Sequence, residues 1–305
     1  MRQHVVSLAA ALTLMNAFSA HAQPQASAAN TSLRSAVVVL GDGTPVLSAD
    51  RSGTSIGVVV RGTIYVFDAG PGVLRRLFEA QQRLGLGIVT LGPVFVTHLH
   101  SDHTLGLPEL LYPPGMPSLR VYGPPGIQKM LNSILDAWAE DRQVRSHSTM
   151  PRDNALARQA GGATATEVTN GIVFRDSNVT VTAFRVAHGD WPTALGYRIE
   201  AAGRSIVISG DTRPTQAIAD ACNGCDLLVH AVYNGETPMP AGDSTYFRRF
   251  HTSATELGEI ARRARPGLLV LYHQLFLGGG PADLIRQVGT TFRGPVISAR
   301  DLDVY

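Results

Sequence analysis

The feature that most constrains this chain is six residues long. His98-Leu99-His100-Ser101-Asp102-His103 places three imidazoles and a carboxylate directly after the strand-like run Val94-Phe95-Val96-Thr97. Imidazole nitrogen and carboxylate oxygen are the ligand types that suit zinc in a hydrolytic site. The histidines fall at i, i+2 and i+5, positions that a regular helix would point in different directions. A loop at the end of a buried strand can turn all of them toward one point. Three more residues of ligand type stand in the same relation to apolar runs. His188 follows Val179 to Ala187, Asp211 follows Ser205 to Gly210, and His273 follows Leu268 to Tyr272. Singly, each reads as a structural polar residue at a strand end. Jointly they predict strand ends converging on one metal centre, on the edge where layered α/β proteins gather their sites.

The rest of the pattern supports such layers. Strands are expected at 36–40, 57–61, 63–67, 94–97, 179–186, 195–201, 204–209, 226–230, 268–272 and 295–298. Helical spacing runs over 73–84 and recurs near 104–111, 126–140, 215–222 and 254–264. The two kinds of segment interleave, which argues α/β. Residues 141–170 are polar and Gly-rich and read as a surface insertion. With no clean linker and no short-period repeat, 35–305 reads as one domain.

Composition excludes several classes. The chain has 305 residues, 44% apolar and 16% charged, long enough for a full core and too poor in charge for disorder. A net charge of +2, with no long charge runs, gives no reason to expect a nucleic-acid-wrapping surface or a polybasic membrane patch. The amino terminus has the layout of a signal peptide: a basic start, an uncharged apolar stretch from Val5 to Ala20, and Ala20-His21-Ala22 before Gln23. The stretch is short for a bilayer span, which takes about 20 residues. Residues 1–22 are therefore expected to be removed and 23–34 to form a loose leader. A soluble periplasmic or secreted protein with no membrane span after cleavage is the expectation. Cys222 and Cys225, the only cysteines, rule out a disulfide scaffold and a four-cysteine zinc ribbon. They read equally as a local disulfide or as two unpaired thiols.

At this point the residues carry a resemblance. His98-x-His100-x-Asp102-His103, followed by His188, Asp211 and His273, resembles the metal motifs of the metallo-β-lactamase superfamily in order and spacing, over roughly residues 35–305. Asp68-Ala69-Gly70 resembles the Asp-x-Gly turn that supports the metal loop in that family. The resemblance implies an αβ/βα sandwich, two facing sheets with helices outside. It implies two zinc ions: His98, His100 and His188 on the first, Asp102, His103 and His273 on the second, and Asp211 bridging. Iron and manganese are not excluded by such ligands. Two adjacent cations would lower the pKa of a shared water and stabilise charge on the attacked group.

Further motifs narrow the branch. Leu40-Gly41-Asp42-Gly43-Thr44-Pro45, Ser209-Gly210-Asp211-Thr212 and His251-Thr252-Ser253 resemble the ribonuclease Z and arylsulfatase-like branch. In that branch the histidine of His-Thr-Ser faces the scissile group and helps transfer a proton. Asp102 and His251 are accordingly the candidate catalytic residues, Asp102 doubling as a ligand. The chain departs from ribonuclease Z in three ways. His230-Ala231 stands where that family has His-Glu, so the carboxylate that orients the proton-shuttling histidine is missing or supplied elsewhere. Only about 22 residues separate His188 from Asp211, too few for a long tRNA-clamping arm. An export leader removes the protein from a cytoplasmic RNA. The leading expectation is thus an exported dinuclear zinc hydrolase acting on a small anionic ester, a phosphodiester or an aryl sulfate, with nucleic acid disfavoured as a partner and a homodimer left open. Lactone or β-lactam opening, RNA cleavage and a non-enzymatic metal-binding protein are the alternatives. Trp191, Tyr112, Tyr233 and Phe276 are candidates for a hydrophobic rim.

Overall fold

Two sheets share one core. The computed structural model describes residues 35–46, 48–85, 90–111 and 118–305. The expected signal peptide and leader, and Tyr112, lie outside the described residues. The first half supplies β1 (Ala36–Gly41), β2 (Ser55–Val60), β3 (Thr63–Phe67), α1 (Val73–Arg83), β4 (Thr90–Phe95), α2 (Ser101–Thr104), α3 (Leu107–Leu110), β5 (Arg120–Gly123), α4 (Ile127–Ala137), α5 (Ala139–Ser146), α6 (Pro151–Gly161) and β6 (Thr164–Glu167). The second supplies β7 (Gly171–Arg175), β8 (Val179–Val186), β9 (Ala194–Ala201), β10 (Arg204–Ile208), α7 (Gln216–Cys222), β11 (Leu227–Tyr233), α8 (Ala241–Phe250), α9 (Ala254–Ala264), β12 (Leu268–Leu275), α10 (Pro281–Val288) and β13 (Val296–Ser298). Strand order is β1 to β6 in one sheet and β13 back to β7 in the other. Each sheet starts with antiparallel hairpins and continues with parallel strands joined by helical crossovers.

Alternation along the strands explains the layers. In β1, Val37 and Val39 enter the core between the sheets, while Ala36, Val38 and Leu40 face the helices outside. In β12, Val270 and Tyr272 face inward, and Leu269 and Leu271 pack with α7, α9 and α10 residues. Strands buried on both faces read as continuous apolar runs, which is why the sequence announced them. The αβ/βα sandwich expected from the resemblance is the observed architecture. The carboxy terminus closes it. Val37 and Tyr305 exchange backbone hydrogen bonds at 2.8 and 2.9 Å, so the free edge of β1 is paired.

One expectation is refined. Residues 141–170, expected as a surface insertion, are largely exposed but belong to the fold's regular elements: they hold most of α5, all of α6 and the edge strand β6. Their polarity follows from position. β6 is mostly exposed, pairs only with β5, and needs no apolar alternation, while α6 buries just Leu156, Ala157 and Ala160. The cysteine alternative resolves as a Cys222–Cys225 disulfide at the end of α7.

Candidate metal centre

The site is built on strand ends, and its loops are fastened from behind. Asp68, at the end of β3 with φ 60°, accepts from the Thr97 backbone N–H at 2.7 Å and from the Thr97 hydroxyl at 2.8 Å. It also accepts from His103 Nδ1 at 2.8 Å. Thr97 Oγ1, its proton engaged by Asp68, accepts from His98 Nδ1 at 3.0 Å. His188 Nδ1 donates to the Phe250 carbonyl at 2.6 Å. These partners place the ring proton on Nδ1 of His98, His103 and His188 and leave each Nε2 lone pair facing the centre. The turn beside Asp68 requires glycine: a Cβ on Gly70 would lie 2.4 Å from the Asp102 carbonyl oxygen.

His273 reaches the same point by a different device. The β11–β12 ladder slips between Ala231 and Val232, so His273 is the extra residue of a bulge, with φ 45°. A bulge re-aims one side chain, and here it turns His273 into the site. Gln274 behind it donates to Asp42 at 2.8 Å and to the Ala299 carbonyl at 2.9 Å, and Arg51 pairs with Asp42 at 2.9 Å.

All eight expected site residues come together. Ligand-type atoms of His98, His100, His188 and Asp211 lie within 4.8 Å of one another, as do those of Asp102, His103 and His273, and those of Asp211, His251 and His273. His100 Nδ1 sits 2.9 Å from His98 Nε2 and 3.2 Å from His188 Nε2. Asp211 Oδ2 lies 3.5 Å from His273 Nε2, 3.6 Å from His103 Nε2, 3.8 Å from His251 Nδ1 and 3.9 Å from His188 Nε2. Asp102 Oδ2 faces His273 Nε2 at 3.0 Å. His103 Nε2 and Asp211 Oδ1 are buried and hydrogen-bonded to nothing, an arrangement that costs free energy unless a cation fills it. The donor set therefore fits divalent metal. His100 needs one adjustment. Trp191 Nε1 donates to its Nε2 at 3.0 Å, so ligation through Nδ1 requires its proton to move and Trp191 to turn away.

The electrostatics follow from burial and crowding. Burial pushes His98 well below its usual pKa, and lowers His188 as well. Burial would raise Asp211, but the His273 and His103 imidazoles hold its carboxylate well below the usual range. Burial takes His251 down to about 3, against the opposing charge of Asp211. Asp211 is the one carboxylate within 4 Å of the His251 ring among the described residues. Burial thus favours the neutral form of the His251 ring. Sequence reasoning missed Arg213, Arg248 and Arg249 beside the ligand loops. The sign that could have found them was their distance along the chain, two or three residues from Asp211 and His251.

Comparison with known proteins agrees with this geometry. Residues 63–274 match the family model described as the beta-lactamase superfamily domain, and the chain belongs to that superfamily. It is 30% identical over 278 residues to a ribonuclease Z of Mycobacterium sp. strain KMS, covering 87% of this chain and 94% of that one. Among solved structures it is similar to the metallo-beta-lactamase fold protein YhfI from Bacillus subtilis, with TM-score 0.64, 19% identity and coverage of 89% and 99%. It is also similar to the short form of human tRNase Z, with TM-score 0.61, 24% identity and coverage of 88% and 98%. The chain is a metal-dependent hydrolase of this superfamily.

Proposed function

We propose that this chain is an exported dinuclear zinc phosphodiesterase. The observation that carries the reading is the pair of ligand clusters meeting at Asp211, with buried ligand atoms that have no protein partner. His98, His100 and His188 would hold one ion, Asp102, His103 and His273 the other, with Asp211 shared. Two such ions supply a nucleophilic water at neutral pH and offset charge on phosphoryl oxygens. His251, 3.8 Å from Asp211, would be the residue that hands a proton to the leaving oxygen. Trp191, half-buried against His100, is the rim residue nearest the ligands.

The names of the relatives favour a phosphodiester over an aryl sulfate, and they support a second reading, RNA cleavage. The segment between His188 and Asp211 speaks for a smaller diester, since it holds only the β9–β10 hairpin. The Cys222–Cys225 disulfide and the signal-like amino terminus both fit an oxidising compartment. Metal analysis should find about two zinc ions per chain, and Asp211→Ala should lose metal and activity together. A variant that keeps both would remove Asp211 from the bridging position. A panel of bis(4-nitrophenyl) phosphate, aryl sulfate, lactone, β-lactam and precursor tRNA should show turnover of the diester first. Turnover confined to the precursor tRNA would replace our reading with the second one.

A further inference from the structure

Beside the metal centre lies a cavity of about 490 Å³, lined by Gly189, Arg213, Thr245, Arg248 and Arg249. Its walls belong to the same loops as the ligands. Gly189 follows His188, and its N–H donates to the Arg249 carbonyl at 3.1 Å. Arg213 lies two residues after Asp211, at most about 7 Å of chain, and its N–H donates to the Ala187 carbonyl at 2.8 Å. Phe250, next to Arg249, anchors His188 through its carbonyl. Position 189 requires glycine: its φ is +53°, and a Cβ there would meet the Phe250 ring at 2.0 Å.

The three arginines are exposed, and their charge gathers around this one cavity. Arg249 pairs with Asp190 at 2.5 Å, but Arg213 and Arg248 have no carboxylate within 4 Å among the described residues. Arg248 and Arg249 stand in the last turn of α8, where cations complement the helix dipole. That explains neither Arg213, which comes from the loop after β10, nor why all three line one space. Guanidinium forks contributed by two elements suit phosphoryl oxygens in charge and in donor geometry.

We propose that this cavity is a phosphate subsite, which holds a second, non-scissile phosphate of the substrate while the diester is cleaved at the metal centre. The inference rests on the phosphodiester reading and narrows its substrate class to molecules with two phosphates within reach of each other. The second phosphate is either a terminal phosphomonoester or the next backbone phosphate of an oligonucleotide.

The test compares a dinucleotide, the same dinucleotide with a terminal phosphate, and an unphosphorylated trinucleotide on the zinc-loaded full chain. The phosphorylated dinucleotide should be preferred about tenfold in kcat/KM, mainly through KM. In the double variant Arg213→Ala/Arg248→Ala the ratio should fall to about one. A trinucleotide that shows the same preference assigns the site to a backbone phosphate, and one that lacks it assigns the site to a terminal group. Calorimetry with adenosine monophosphate and an adenosine bisphosphate gives a readout independent of turnover: tighter binding of the bisphosphate, lost in the variant. No preference in the wild type, or a preference kept by the variant, overturns the subsite. If no diester is turned over at all, the catalytic reading fails, and the calorimetry alone decides the subsite.

Discussion

At the scale of single residues, His251 is the side chain whose role depends most on its surroundings. It is buried, its Nδ1 has no hydrogen-bond partner, and Asp211 lies 3.8 Å away. It shares one cluster with Asp211 and His273, but the other seven residues can supply both ions, so His251→Ala should keep both metals. A poor leaving group needs a proton as it departs, whereas nitrophenolate leaves without one. The variant should therefore lose about a hundred- to ten-thousand-fold in rate on an alkyl diester and much less on bis(4-nitrophenyl) phosphate. Equal losses on both would point to substrate positioning, and loss of metal would make His251 a ligand. Seven of the eight site residues stood out in the sequence as ligand-type side chains at strand ends, and His251 only through the resemblance of its His-Thr-Ser segment to a family motif. The protonation of His251 was not legible there, because burial is a property of the folded chain.

At the scale of elements, the metal loop depends on a turn that touches no metal. Asp68 fixes His103 directly and His98 through the Thr97 hydroxyl, so one carboxylate sets two ring orientations. Asp68→Asn keeps the shape but offers an amide where three donors converge. Its zinc affinity should fall about ten- to a hundred-fold, the usual cost of losing a partner behind a ligand. Competition with a chromogenic chelator measures this, and unchanged affinity would show that packing alone holds the rings. The Asp-Ala-Gly sequence marked this turn in advance. The bulge at His273 left no such mark, because a register slip depends on the partner strand β11 and not on the residues of β12. β6 escaped notice for a different reason: a mostly exposed edge strand lacks the apolar alternation that reveals a buried one.

At the scale of the whole molecule, gathering so many imidazoles in one interior gives stability a pH dependence beyond the ligands. His230 shows it most simply, since it sits within β11, fully buried, with Nδ1 donating to the Ala231 carbonyl at 2.6 Å and Nε2 unpartnered. Burial lowers its pKa from 6.5 to about 4. The unfolded chain takes up a proton on this ring as pH falls through about 6.5, and the folded chain does not until about 4. Between those values the unfolded state binds more protons, so folding stability is full above 6.5 and is lost as pH drops toward 4. The gap corresponds to about 3 kcal/mol for a complete passage through both values. His98, His188 and His251 are lowered too and add to the slope, whereas His103 and His273 are raised and oppose it. His230→Asn keeps a small donor in the strand and removes the titration, so it should flatten the slope by one proton's share without abolishing it. Urea unfolding between pH 8 and pH 4 (rough working limits, spanning both values), with chelator present to keep metal release out of the measurement, gives the comparison. A slope as steep in the variant as in the wild type would mean that His230 already carries its proton in the folded chain.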